Sequence, residues 1–179
     1  MNNRLSSLDI NCLNNMPMLV DVINKSTTSL GNILGGWRDK IQHEVEKSLP
    51  SKRWSIKANE NGYIEWGELE LHSCINVIRG KKEVVEVSCS YIVSEDNHIF
   101  FQLTESDICS LLTEEFKNSI NVDSRFIKVC NEEKEENFVS VELKITPDLS
   151  EKQIEDCACE FINKVLRPYL DLLTSTFCN

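Results

Sequence analysis

The chain has 179 residues, 41% of them apolar and 27% charged, with a formal net charge of −10. That length fits one domain, which can bury about 70% of its unfolded surface and needs no covalent staples. The acidity argues against the clustered basic face of a nucleic-acid binder and against docking on anionic membranes, and it favours a protein partner with a basic or amphipathic surface.

Residues 1–16 are rich in Asn and Ser and read as a loose N-terminal arm, leaving 17–179 as a single domain. Pro17 suits a helix start. From Met18 to Leu49 the apolar residues Leu19, Ile23, Leu30, Ile33, Leu34, Trp37, Ile41, Val45 and Leu49 recur at helical spacing. Gly35-Gly36 interrupts that stripe, at about 1 kcal/mol per Gly relative to Ala. Two helices, or one kinked there, are expected, with Pro50 as the stop.

Strands follow. Trp54–Ala58 alternates, Glu60-Asn61-Gly62 is a turn signal, and Tyr63–His72 resumes the extended pattern with Gly67 as a bulge candidate. Ile75–Ile78 leads to a second turn at Arg79–Lys82. Val85, Val87, Cys89, Tyr91 and Val93 then alternate with mostly polar residues, which describes a half-buried strand. Ser94–Asn97 turns the chain into His98–Leu103. A helix capped by Thr104 or Ser106 is expected next, burying Ile108, Leu111, Leu112, Phe116 and Ile120. Arg125–Cys130 and Phe138–Ile145 form a hairpin around the charged run Glu132–Glu136, whose charges discourage edge pairing. Ser150-Glu-Lys-Gln153 matches a capping box that opens a helix to about Leu173, with a kink or early end near Leu166 ahead of Pro168. Hairpins followed by helices segregated to one side describe an α+β fold of order α-β-β-β(-β)-α-β-β-α around an antiparallel sheet.

The eight cysteines are scattered singly, mostly in apolar runs. Residues 1–15 carry no apolar segment of a signal peptide, so a reducing, cytoplasmic setting is expected, with the thiols acting as small buried hydrophobes. No CxxC or HxxxH spacing announces zinc, and on a helix Cys157 and Cys159 point about 200° apart. No apolar run reaches the ~18–20 residues of a membrane span. Neither a metal nor a cofactor is expected.

One catalytic pattern stands out. Glu142-Leu143-Lys144 on a strand is similar to the E-x-K half of restriction-type (PD-(D/E)xK) nucleases, in which a carboxylate holds Mg²⁺ beside a lysine that orients water. Asp123 is the nearest upstream acid. The plainer reading makes Glu142 and Lys144 the polar face opposite Val141, Leu143 and Ile145. His43, His72 and His98 are isolated from any nucleophile motif. Trp37 belongs to a helical stripe. Trp54 and Trp66 pack in the core if they face inward. If they face outward they form, with Tyr63, an aromatic platform for a partner.

The element order from Trp37 to Leu173, and the segment VSVELKITPDLSEKQIEDCACEFINKVL, look like the class I type III secretion chaperone fold shared with the YbjN-type proteins. That resemblance implies a homodimer whose grooves hold an extended segment of a client protein. The longer N-terminal region, residues 1–36, and the number of cysteines depart from the family pattern. The expected function is therefore a non-enzymatic cytosolic protein-binding protein, chaperone-like or an adaptor. The alternatives are a divergent metal-dependent nuclease using Asp123, Glu142 and Lys144, and a regulatory or anti-defence protein that blocks a partner's surface.

Overall fold

The computed structural model describes residues 28–29, 31–50, 52–65, 68–93, 97–130 and 137–177, with only the backbone of 60–65, 68–70 and 93. The arm at 1–16 and the run Glu132–Glu136 lie outside them. Six strands form one antiparallel sheet: β1 (Trp54–Glu65), β2 (Glu68–Arg79), β3 (Lys82–Val93), β4 (His98–Glu105), β5 (Ile127–Cys130) and β6 (Asn137–Lys144), in the order β1-β2-β3-β4-β6-β5. Helix α1 covers 31–48, α2 is Glu114–Ser119, and α3 (Glu151–Phe161) runs through a π-helical turn (Ile162–Leu166) into α4 (Arg167–Phe177). The expected α+β element order is found.

Alternation assigns the two faces. Ile99, Phe101, Leu103 and Glu105 point inward from β4, and their register partners Val87, Cys89, Val139 and Val141 are buried with them. Both long helical elements pack on this face. From α1, the Trp37 ring meets Phe101 edge-on at 6.1 Å, and from α3, Phe161 meets the same ring at 6.0 Å. Cys89 Sγ donates to Leu34 O (3.2 Å) on one side of the layer, and Cys157 Sγ to Val141 O (3.8 Å) on the other. No described helix covers the opposite face of the sheet.

Local rules hold where tertiary pairing agrees with them. The Arg79–Lys82 turn places Gly80 at φ 69°, a left-handed conformation that glycine adopts without a Cβ clash. The capping box is present, with Ser150 Oγ accepting from Gln153 N and Gln153 Oε1 accepting from Ser150 N. Pro168 has no N–H for the Lys164 carbonyl, and the helix absorbs this as the π turn, where Arg167 N–H reaches Ile162 O. The helix therefore continues past Leu166.

Three expectations are corrected. Gly35-Gly36 does not divide the helix, because α1 is continuous over 31–48. Its stripe Leu34, Trp37, Ile41, Val45 is buried along its length, and that packing offsets the glycine cost. Glu60-Asn61-Gly62 is strand interior, since these residues pair with Ser73, His72 and Leu71. Twelve-residue pairing with β2 outweighs a local turn preference. The helix expected from Thr104 or Ser106 begins only at Glu114, capped by Thr113, and Ile108 is 48% exposed.

Two outcomes follow. Phe101→Ala removes the ring that both helices share and should cost about 3–5 kcal/mol in urea unfolding, while Phe100→Ala on the opposite face costs far less. Second, Arg167 holds Glu44 of α1 in a two-pronged pair (2.9 Å each) and lowers its pKa. A depressed carboxylate stabilises above its unfolded pKa and loses that contribution as pH falls through the folded one. Glu44→Gln should thus lower stability by about 0.2–1 kcal/mol at pH 7, and the difference from wild type should start to shrink below the unfolded glutamate pKa of about 4.3 and disappear only below the lower folded one.

Candidate functional site

Of the aromatic platform, Trp54 faces inward. It is only 6% exposed, meets Phe177 edge-on at 6.1 Å, and lies under Arg79, whose guanidinium is 4.6 Å from the Phe177 ring. It therefore closes the core at the start of β1 and offers no ring to a partner. Tyr63 sits in β1 opposite Glu70, its side chain outside the described residues, as is all of Trp66.

Glu142, Lys144 and Asp123 do not converge. Glu142 and Lys144 share the helix-free face of β6, where Glu142 accepts from Ser140 Oγ (2.8 Å) and lies 4.0 Å from His98 Nδ1. Asp123 is on the helical side. Its carboxylate binds Arg125 (3.1 Å), which reaches Asp156 of α3 (3.0 Å), and its N–H donates to Glu160 (2.9 Å). The Arg125 guanidinium holds the Asp123 carboxyl below the usual carboxylate range. A carboxylate committed to that ion pair, across the sheet from Glu142, gives no shared Mg²⁺ site.

The helix-free face carries a different constellation. His72 and Cys74 are two apart on β2 and so project together. Glu86 reaches back from β3, where its own register partner is Asn76. One donor atom from each of the three lies within 4.8 Å of the other two, and this is the sole group of three or more His, Cys, Asp or Glu with such spacing among the described residues. His72 Nδ1 is 2.7 Å from Ser90 Oγ, and its Nε2 is 3.7 Å from Glu86 Oε1. Cys74, 2% exposed, lies 3.6 Å from Asn76 Oδ1. Burial first, and then Glu86, pushes the Cys74 thiol up to about 12. The H-x-C alternation of β2 was the available signal in the sequence. It is easily missed, because metal ligands are usually sought at turn or helix spacings.

A second feature is electrostatic. In an acidic chain, the exposed cations Lys52, Arg53, Lys57, Arg79, Lys81 and Lys82 gather at one end of the sheet, around the start of β1 and the β2–β3 turn. Trp54, Arg79 and Lys82 form one cross-strand row there. Beside it, Val84, Ile108 and Phe177 line a hollow of about 220 Å³ between Arg79 and Lys82. Arg53 and Arg79 also each donate to Phe177 O (3.5 Å), at the negative end of α4.

The buried acid Glu105 is a structural hub. Its Oε1 accepts from Leu111 N (2.8 Å), Leu112 N (3.0 Å) and Tyr169 Oη (2.8 Å), and its Oε2 from Asn137 Nδ2 (3.0 Å). Every donor comes from a different turn of chain than β4 itself, so the carboxylate ties the 106–113 loop, β6 and α4 together. Having spent the Leu111 and Leu112 N–H groups, the loop does not wind into the helix read from Thr104. Cys109 Sγ lies 3.5 Å from Tyr169 Oη, and burial raises both the thiol and the phenol. Neither is poised as a nucleophile. The described cysteines are all free, and Cys159 alone among them is exposed.

No family model, curated protein or solved structure matches the chain. Among the described residues no helix is long and apolar enough to cross a membrane.

Tyr169→Phe leaves one Glu105 oxygen short of a donor in a buried site. The expected loss is about 1–3 kcal/mol, read by chemical denaturation, with the fold retained by circular dichroism. An unchanged midpoint would show that the network is dispensable.

Proposed function

We propose that this chain is a non-enzymatic protein-binding protein that holds an extended segment of a partner by adding it as a strand along β1. The observation that carries this reading is the edge itself. β1 is twelve residues long, and among the described residues it has a partner strand on one side only. Unpaired N–H and C=O groups in such a row are a template for another chain. Ser55, Lys57 and Asn59 keep the solvent side polar.

The basic end specifies the partner's chemistry. Strand addition along β1 brings the added segment beside Lys52, Arg53 and Lys57, so carboxylates in that segment gain charge-assisted hydrogen bonds there, while Arg79 and Lys82, one and two strands further in, add to the positive field at that end. The overall acidity suggests a basic partner, whereas this local arrangement favours an acidic segment, and the local field decides a contact within a Debye length of ~8 Å. A chaperone, an adaptor and a blocking regulator all share this binding chemistry. A homodimer formed elsewhere on the surface is compatible with it; one formed through β1 would remove the site.

Display selection of ten-residue peptides against the intact chain should enrich alternating sequences with Asp or Glu at one end. Combined Arg53→Glu and Lys57→Glu should abolish that enrichment. Proline placed singly at Ser55, Lys57, Ala58 and Asn59 should split into two classes, because alternate N–H groups face β2 and the open edge. Prolines facing β2 destabilise the sheet, while those facing outward keep the fold and lose binding. The reading fails if selected peptides protect α1 rather than β1 in hydrogen exchange, or if light scattering shows a dimer that outward-facing prolines dissociate.

A further inference from the structure

We propose that His72, Cys74 and Glu86 form a zinc-binding site on the helix-free face of the sheet. The site lies on different residues from the β1 edge and does not depend on it. Three kinds of donor meet there: an imidazole nitrogen, a sulfur and a carboxylate oxygen. That mixture suits a borderline-soft divalent ion of the zinc class and disfavours Mg²⁺ or Ca²⁺, which take oxygen.

The geometry is close to what the ion needs. Zinc bonds of about 2.0–2.3 Å in a tetrahedron space the ligand atoms about 3.4–3.7 Å apart. Here the three atoms lie within 4.8 Å, and the His72 Nε2–Glu86 Oε1 separation is already 3.7 Å. The remaining contraction of about 1 Å is within reach of a glutamate rotamer and a small imidazole rotation. The backbone need not move, because β2 and β3 are paired over eleven register positions from Leu69 to Arg79.

The supporting shell is also in place. A proton on His72 Nδ1, donated to Ser90 Oγ at 2.7 Å, leaves the Nε2 electron pair on the Glu86 side. Ser90 is fully buried, so it holds the ring in place and can accept that proton. Asn76, which stands beside Cys74 Sγ, is itself held by donation to Glu83 Oε2 (2.7 Å). His72 and Glu86 keep 20% and 32% of their side chains exposed on the helix-free face, which gives an ion a way in. On binding, the Zn–S bond replaces the Cys74 S–H bond and that proton leaves to solvent. Three protein ligands leave the fourth corner for water or for a donor from a partner.

The test is metal titration of the intact chain, freed of metal by chelator, using ZnCl₂ against a chromophoric competitor and CoCl₂ as a spectroscopic probe. One ion per chain is expected, and cobalt should give a near-ultraviolet thiolate charge-transfer band. That band should vanish in Cys74→Ala, and Glu86→Gln should keep the fold and weaken zinc. Ser90→Ala should weaken zinc by about 10- to 100-fold, and His72→Ala by more. Cys159→Ser and His98→Ala, away from the site, should bind as wild type. Circular dichroism verifies that each variant is folded. If Cys74→Ala fails to fold, the His72 and Glu86 variants carry the test. Absence of stoichiometric zinc in the wild type, or wild-type affinity in folded His72→Ala and Glu86→Gln, would overturn the proposal.

Discussion

Phe101 is where the sheet and both long helices meet. It is fully buried at the centre of β4, with the Trp37 ring edge-on from α1 and the Phe161 ring tilted against it from α3. Aromatic pairs of this kind add about 0.5–1.5 kcal/mol beyond their buried area. Geometry matters more than that increment. One ring touching two helices sets their separation, and the Glu44–Arg167 and Lys40–Glu155 pairs then close the seam from the solvent side. The second pair spans 3.9 Å between well-exposed groups and adds little.

Placing every long helix on one face has a consequence for the other. The inward positions of β3, β4 and β6 are almost wholly apolar, and Glu105 is tolerated there only because four donors surround it. On the reverse face the same strands carry Ser88, Ser90, Gln102, Ser140, Glu86 and Glu142. A face free of helix-packing demands can keep histidines beside carboxylates, as in His72 with Glu86 and His98 with Glu142. Of these two neighbourhoods, only the first also holds a cysteine, and that difference separates a ligand set from a pair of polar neighbours.

How much of this was legible in the sequence depended on whether local and tertiary forces agreed. The β3 alternation, Gly80 in its turn, the Ser150–Gln153 box and the disturbance before Pro168 were all readable, since each needs only neighbours in the chain. The Glu60–Gly62 signal misled because β2 offers those backbones a full ladder, a term no local window contains. The 106–113 segment misled because its N–H groups are taken by Glu105, a residue that reads as polar strand end until its burial is known. Trp54 could be weighed for either face from alternation alone. What decides it is Phe177, 123 positions further along the chain.

The candidate sites were harder still, for a related reason. Cys157 and Cys159 were set aside by a helical argument: two positions apart, they diverge. On a strand the same spacing makes side chains converge, and His72 and Cys74 satisfy it. Spacing rules therefore carry no meaning for metal binding until the backbone period is assigned. The third donor, Glu86, joins through a hairpin register that depends on the bulge beside Val77 and Ile78. Were Val84 paired in regular register with Val77, Glu86 would move one position along β2, opposite Ile75, and present its carboxylate to the opposite face. A single irregularity in strand pairing thus keeps Val85 and Val87 in the core and places an acid within reach of Cys74.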